Sequence, residues 1–163
     1  HNKPLEPIGI AISLNCTSDD NKPWLAVDTL EGGDTLKLVD IKIWGAYALQ
    51  AIYELGRKQN AKFAIINTEL VNPNSTAEQF VEYITSLGLP QDSVNLRLKG
   101  TPKIYSYRHG KHMLDMFSTD DYSIFNHPDG TVTGIVLDLS KEYNFIKNVQ
   151  EARLGTRELA AKR

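Results

Sequence analysis

Residues 24–69 read WLAVDTL-EGGD-TLKLVDIKI-WGAYALQAIYELGRKQN-AKFAIINTE, and the fold turns on how this stretch is divided. Trp24, Ala26 and Asp28 alternate with Leu25, Val27 and Thr29, the period of two expected of a strand. Glu31-Gly32-Gly33-Asp34 reads as a hairpin turn, because glycine accepts the positive φ that tight primed turns require. Residues 36–43 are then the predicted partner strand. At Trp44 the period changes: Trp44, Ala48, Ala51, Ile52 and Leu55 recur at helical spacing, with Gly56 placed near the helix C-terminus. Residues 62–67 (KFAIIN) are a strand of the fully buried kind. Strand, helix and strand with short links predict a right-handed crossover onto a parallel neighbour.

Working outward, residues 1–7 hold Pro4 and Pro7 and read as an extended arm. Residues 8–14 (IGIAISL) are a short strand, and residues 13–23, rich in Ser, Asn, Asp and Pro, are a loop. Ser75-Thr76-Ala77-Glu78 is a capping box, opening a helix with the apolar stripe Phe80, Val81, Ile84 and Leu87 and ending at Gly88 and Pro90. Beyond Ser93 the pattern is extended. Residues 94–98 alternate, residues 103–108 and 112–117 pair across His109-Gly110-Lys111, and residues 122–126 and 131–139 pair across His127-Pro128-Asp129-Gly130. Asp138 or Ser140 caps a last helix over 142–153 with Tyr143, Ile146 and Val149 on one side. Residues 154–163 are a frayed tail. The expectation is one domain over residues 1–163 of the α/β class, with α+β left open. Its mixed sheet is covered by three helices near 47–55, 77–87 and 142–153, because sheet and helix must each bury one apolar face.

The chain has 163 residues, a 41% hydrophobic and 23% charged composition and a net charge of −2, ordinary for a folded domain with one core. No apolar run reaches the length of a membrane span. The charge balance argues against a nucleic-acid partner. Arg97, Lys99, Lys103, Arg108 and Lys111, interleaved with Tyr105 and Tyr107, form a basic run that reads as a solvated strand face in preference to a phosphate-binding one.

Two sets of residues bear on chemistry. Asp28 ends the first strand of the predicted hairpin, and Asp40-Ile41-Lys42 ends the second. Two carboxylates hold a hard cation such as Mg²⁺ and a lysine positions the attacking water. In a strand, Asp40 and Lys42 project from one face. This order resembles the restriction-endonuclease-like nuclease core, and the resemblance implies Asp28, Asp40 and Lys42 as catalytic residues with Mg²⁺ as cofactor. Val27 stands where that family places a proline before the first acid, and Asp40 where it favours Glu. A ribonuclease-H-like arrangement with Glu69 at a strand end lacks its acid near residues 13–15. The second set is His109, His112 and Asp115, with His127 further on, which has the residue types of a metal site but no third ligand at a defined spacing. No metal is assigned to this set. No G-x-S-x-G, P-loop or dinucleotide glycine fingerprint occurs.

Processing signals lead elsewhere. Asn15-Cys16-Thr17 and Asn74-Ser75-Thr76 are glycosylation sequons, placing glycans at Asn15 and Asn74. Cys16 is the only cysteine and, in a secreted protein, an odd cysteine pairs with another chain. The sequence starts at His1 without Met and ends in Lys162-Arg163, the dibasic end that a convertase leaves. These features resemble the layout of yeast killer-toxin precursors, in which dibasic cuts release chains that can be disulfide-linked. The resemblance implies a secreted, proteolytically processed subunit of toxin-like type that acts by binding, partnered by a second protein chain joined through Cys16, with no cofactor. The Mg²⁺-dependent nuclease is the alternative, and a cytoplasmic interaction domain the second alternative.

Overall fold

Leu25 and Val27 point to one side of their strand and Trp24 and Ala26 to the other, and all four are buried. A strand buried on both faces belongs in the middle of a layered structure. The computed structural model of the chain describes residues 9–69, 71–99 and 130–150, and in it the strand runs over Pro23–Gly32 as β2. The other strands are β1 (Gly9–Ser18), β3 (Phe63–Asn67), β4 (Gln91–Leu98) and β5 (Thr131–Asp138); the helices are α1 (Asp34–Lys37), α2 (Ile41–Lys58) and α3 (Thr76–Ser86). The strands close into a barrel in the order β1-β2-β3-β5-β4. β2 and β3 are parallel; the remaining pairs are antiparallel. The chain thus combines helices with a single mixed sheet among the described residues.

Strand alternation sorts the apolar residues into two clusters. Cys16, Trp24, Ala26, Ile65, Leu96 and Val132, with Leu14, Phe63, Val94 and Val136 around them, form one. Every strand contributes to it, so it fills the barrel. The Trp24 and Phe63 rings lie 4.8 Å apart there. The opposite faces of β2, β3 and β5 supply Leu25, Val27, Ala64, Ile66, Ile135 and Leu137 to the other cluster, where Leu49, Ile52 and Tyr53 of α2 and Phe80 and Ile84 of α3 cover them. Burying a side chain such as Leu49 or Phe80 contributes about 1.5–3 kcal/mol, so the helical layer is a principal source of stability.

The predicted hairpin after residue 30 does not form. Both edges of β2 are taken, one by β1 and the other by β3, leaving residues 36–43 no strand to join. Gly33 is instead the N-cap of α1. Gly32 leaves room for the Leu36 side chain, which a Cβ there would press upon and which folds back onto β2 at 4% exposure. The true hairpin partner of β2 is β1, across a turn in which Asn21 adopts φ 61°. β1 extends to Ser18, so residues 13–18, expected in a loop, are strand.

α2 ends at Lys58, with Gln59 as C-cap and Asn60 at φ 58°; Gly56, placed near the C-terminus by the sequence reading, lies in the last turn, packed against Leu139. Asn supplies the left-handed residue that glycine more often provides. α3 opens as expected: Ser75 Oγ accepts from the Glu78 N–H at 3.1 Å, although the Glu78 carboxylate turns to the Asn74 N–H. The last helix starts at Lys147, later than expected, because residues 141–146 form a non-helical strap on α2. The arm, the tail and the hairpins of residues 103–117 and 122–126 lie outside the described residues. β5 spends its edges on β3 and β4.

Candidate functional site

The acid-x-lysine set is taken apart by the fold. Asp28 lies in β2 at a bulge: Ile12 pairs with Thr29 and Ser13 with Val27, leaving Asp28 as the extra residue. Its carbonyl accepts from the buried Asn67 side-chain amide at 3.4 Å. Asp40 is no strand residue. It is the N-cap of α2, and its carboxylate accepts from the Lys42 N–H at 3.0 Å, satisfying a backbone donor that a helix start otherwise leaves unpaired. Lys42 lies in the first turn of α2 and is exposed. The shared strand face on which the nuclease chemistry depends is therefore missing at Asp40 and Lys42, and no step through Mg²⁺ follows from them. Among the described residues no group of three or more His, Cys, Asp or Glu side chains is placed to hold a metal. His109, His112, Asp115 and His127 lie outside the described residues, as do Lys162 and Arg163.

Cys16 corrects the expected disulfide. It sits inside the barrel at 1% exposure, directly across from Trp24 in the β1–β2 pair. Its S–H donates to the Leu14 carbonyl at 3.7 Å, and burial pushes the thiol up to about 12. Disulfide exchange needs an accessible thiolate, which this site does not offer to a second chain. The two sequon asparagines are differently placed. Asn15 projects from the outer face of β1 and Asn74 precedes α3 at φ 59°; both are exposed. Thr76, the hydroxyl residue of the second sequon, is buried with Oγ1 accepting from the Gly32 N–H at 2.9 Å.

Of the basic run, Arg97 is exposed in β4 and reaches the Ser18 carbonyl at 3.5 Å, a contact within the barrel wall. No described helix is long and apolar enough to cross a membrane.

The surface feature that sequence reasoning missed lies where the α1–α2 link meets α3. Lys37, Val39, Ile41 and Lys42 form one wall of a groove of about 450 Å³, and Gln79, Glu82, Tyr83 and Ser86 of α3 form the other. The helices can approach here because Gly45 has no Cβ: one would stand 2.8 Å from Tyr83 Cδ1. Between the lining residues Lys37 and Val39 in sequence stands Leu38, 87% exposed, with Val39 at 39%. Leucine at the C-cap of a one-turn helix adds nothing to the core from that position. The sequence signal was Asp40 followed by the apolar positions 41, 44, 48 and 52, an N-cap pattern that leaves Leu38-Val39 as an apolar pair in a link.

Comparison with known protein families, curated proteins and solved structures returns no match to this chain.

Proposed function

We propose that this chain is an exported, N-glycosylated binding subunit that works by docking its α1–α2/α3 face on another protein chain. The observation that carries the reading is Leu38, nine-tenths exposed in the link whose residues Lys37 and Val39 line a groove of mixed character. An exposed apolar anchor beside a concavity is the anatomy of an interface centre. The partner is held non-covalently, since Cys16 is enclosed. Export is supported by the exposure of Asn15 and Asn74: a glycan on either extends into solvent without disturbing the two cores.

The test has two arms. The chain, expressed behind a signal peptide in a eukaryotic host, is expected to carry two glycans, one lost in Asn15→Gln and one in Asn74→Gln, read as mass steps on enzymatic deglycosylation. A photo-reactive residue at position 38 is expected to give an adduct with a protein chain, and one at Asn72, an exposed site before α3, is expected to give none. An unmodified native chain removes the exported half of the reading; equal labelling at the two positions removes the docking half.

A further inference from the structure

We propose that the face of α2 carrying Gln50 and Tyr53 is a peptide-recognition site whose resident occupant is the chain's own strap, residues 141–146. In place of the strap it accepts an extended segment of another protein chain with aromatic side chains at i and i+2. Neither Gln50 nor Tyr53 lines the α1–α2/α3 groove, so the inference stands apart from the docking reading above. The helix reads the strap through its backbone. Tyr53 donates its hydroxyl to the Lys141 carbonyl at 2.7 Å, and Gln50 Oε1 accepts from the Phe145 N–H at 2.8 Å. Both contacts are independent of the side chains at 141 and 145. Each reading group is oriented by a neighbour one turn along α2. Gln50 donates its amide to Glu54 Oε1 at 3.2 Å, which leaves its oxygen for the strap; Tyr53 Oη accepts from Arg57 Nη1 at 2.8 Å, which leaves its proton for the strap. These orienting contacts lie within α2 and persist when the strap departs.

Side chains supply the selectivity. Tyr143 and Phe145 are half-buried against the helical layer, while Glu142 and Asn144 are exposed. The two rings stack at 5.1 Å and meet the Tyr53 ring edge-on. Backbone hydrogen bonds for affinity, with alternate side chains seated for specificity, are the division of labour by which folded domains read extended peptides. The strap can leave without unfolding the barrel, because its root is fixed separately. Leu139 is buried against Gly56, and the Asp138 carboxylate accepts from the Ser140 N–H and hydroxyl at 3.0 and 2.6 Å. Residues from 141 onward therefore pivot beyond a closed turn. So short a tether presents the strap at an effective concentration on the order of millimolar, and a free segment binds weakly until the strap is loosened.

Fluorescence anisotropy on the full chain, with a labelled peptide of residues 140–147 as probe, tests this. Tyr143→Ser with Phe145→Ser removes the rings of the strap and leaves the α2 face intact. This double variant is expected to bind the peptide about tenfold or more tightly than the wild type, because the tethered competitor is weakened. Adding Gln50→Ala and Tyr53→Phe to it is expected to weaken binding about tenfold, the effect of two ordinary hydrogen bonds. A peptide with serine at both aromatic positions is expected not to bind. Equal affinity of wild type and double variant overturns the occupancy by the strap. No saturable binding by a double variant whose circular dichroism matches the wild type overturns the site, and equal binding of the serine peptide overturns the aromatic selectivity. The wild type decides the matter should the variant not fold. Unlabelled peptide at roughly millimolar concentration, added to isotopically labelled wild type, is expected to accelerate hydrogen exchange at Phe145 several-fold and to leave Ile65 unchanged. Exchange at Phe145 that does not respond to the peptide overturns the proposal.

Discussion

Gly134 of β5 lies so close to the Ile66 carbonyl of β3 that a Cβ on it would overlap the oxygen and stand 2.6 Å from the carbonyl carbon. The contact falls next to the register pair Asn67–Gly134, where β5, paired with β4 from Thr131, takes up its pairing with β3. Five strands close only if some of them bend sharply, and a glycine at a barrel corner removes the side chain that the bend would crush.

Gly134→Ala is therefore expected to be among the most damaging small substitutions in the chain. The clash is with backbone, which cannot rotate away. A cost of about 3 kcal/mol is expected, read as a lowered denaturant midpoint. Gly33→Ala serves as control: a Cβ at Gly33 meets nothing within 4 Å, and a change well under 1 kcal/mol is expected there.

Cys16 predicts a pH dependence. Its ordinary value is 9.0 and burial raises it to about 12 in the folded barrel. Between these values the unfolded chain loses the thiol proton and the folded chain keeps it. The unfolded state then binds fewer protons, so this group's contribution is full below pH 9 and falls as pH rises, at up to ~1.4 kcal/mol per pH unit. Chemical denaturation of wild type and Cys16→Ala across pH 8–11 is expected to show the steeper decline in the wild type only. A thiol reagent is expected to label the native chain negligibly and the denatured chain with one equivalent; rapid native labelling would contradict the enclosed position.

Asp40 separates a cap from a ligand. Asp40→Ala removes the acceptor for the Lys42 N–H and is expected to cost about 1 kcal/mol, whereas Asp40→Asn, itself a good N-cap, is expected to keep most of the stability. A metal-binding carboxylate would lose its function equally in both variants. Thermal unfolding of the pair distinguishes the roles, and added Mg²⁺ is expected to shift neither midpoint.

The elements legible in the sequence were those whose signal is local. The period of two in Trp24–Thr29 and in Val94–Leu98, the helical spacing after Trp44 and the Ser75 cap each need only their own neighbours. The failures share a cause: they depend on what occupies the far side of an element. Gly32-Gly33 has the chemistry of a hairpin, but β3 already fills the edge of β2 that a hairpin would use, and that contact comes from a segment thirty residues on. Leu14 and Cys16 alternate with polar Ser13, Asn15 and Thr17. The outward polar set suggested a loop, because nothing local reveals that β4 closes the barrel over the inward set. The groove was invisible for the same reason, as it joins the Leu38 link to α3, forty residues away. Asp28, Asp40 and Lys42 had the order of a nuclease motif, but order carries geometry only if the intervening residues form the expected strand.

The strap over α2 supplies the last prediction. Tyr53 donates its hydroxyl to the Lys141 carbonyl at 2.7 Å and accepts from Arg57 Nη1 at 2.8 Å. Its ring meets Tyr143 and Phe145 edge-on at 5.5 and 6.2 Å, while those two rings stack on each other at 5.1 Å. Gln50 Oε1 accepts from the Phe145 N–H at 2.8 Å. Residues 141–146 are thus held to α2 by two hydrogen bonds and a ring cluster, with no strand or helix of their own. Segments anchored this lightly open independently of the global fold. Tyr53→Phe keeps the ring contacts and removes the acceptor's partner, at a cost of about 1 kcal/mol. That cost is expected to appear locally: hydrogen exchange at Phe145 accelerates several-fold, as roughly 1 kcal/mol of opening free energy requires, while Ile65 and Ile135 in the barrel are unchanged. Gln50→Ala removes the other anchor and is expected to act on the same amide. The two substitutions share the strap as their common element, so their effects are expected to be non-additive. Accelerated exchange spread evenly over the barrel would instead show that the strap and barrel unfold as one unit.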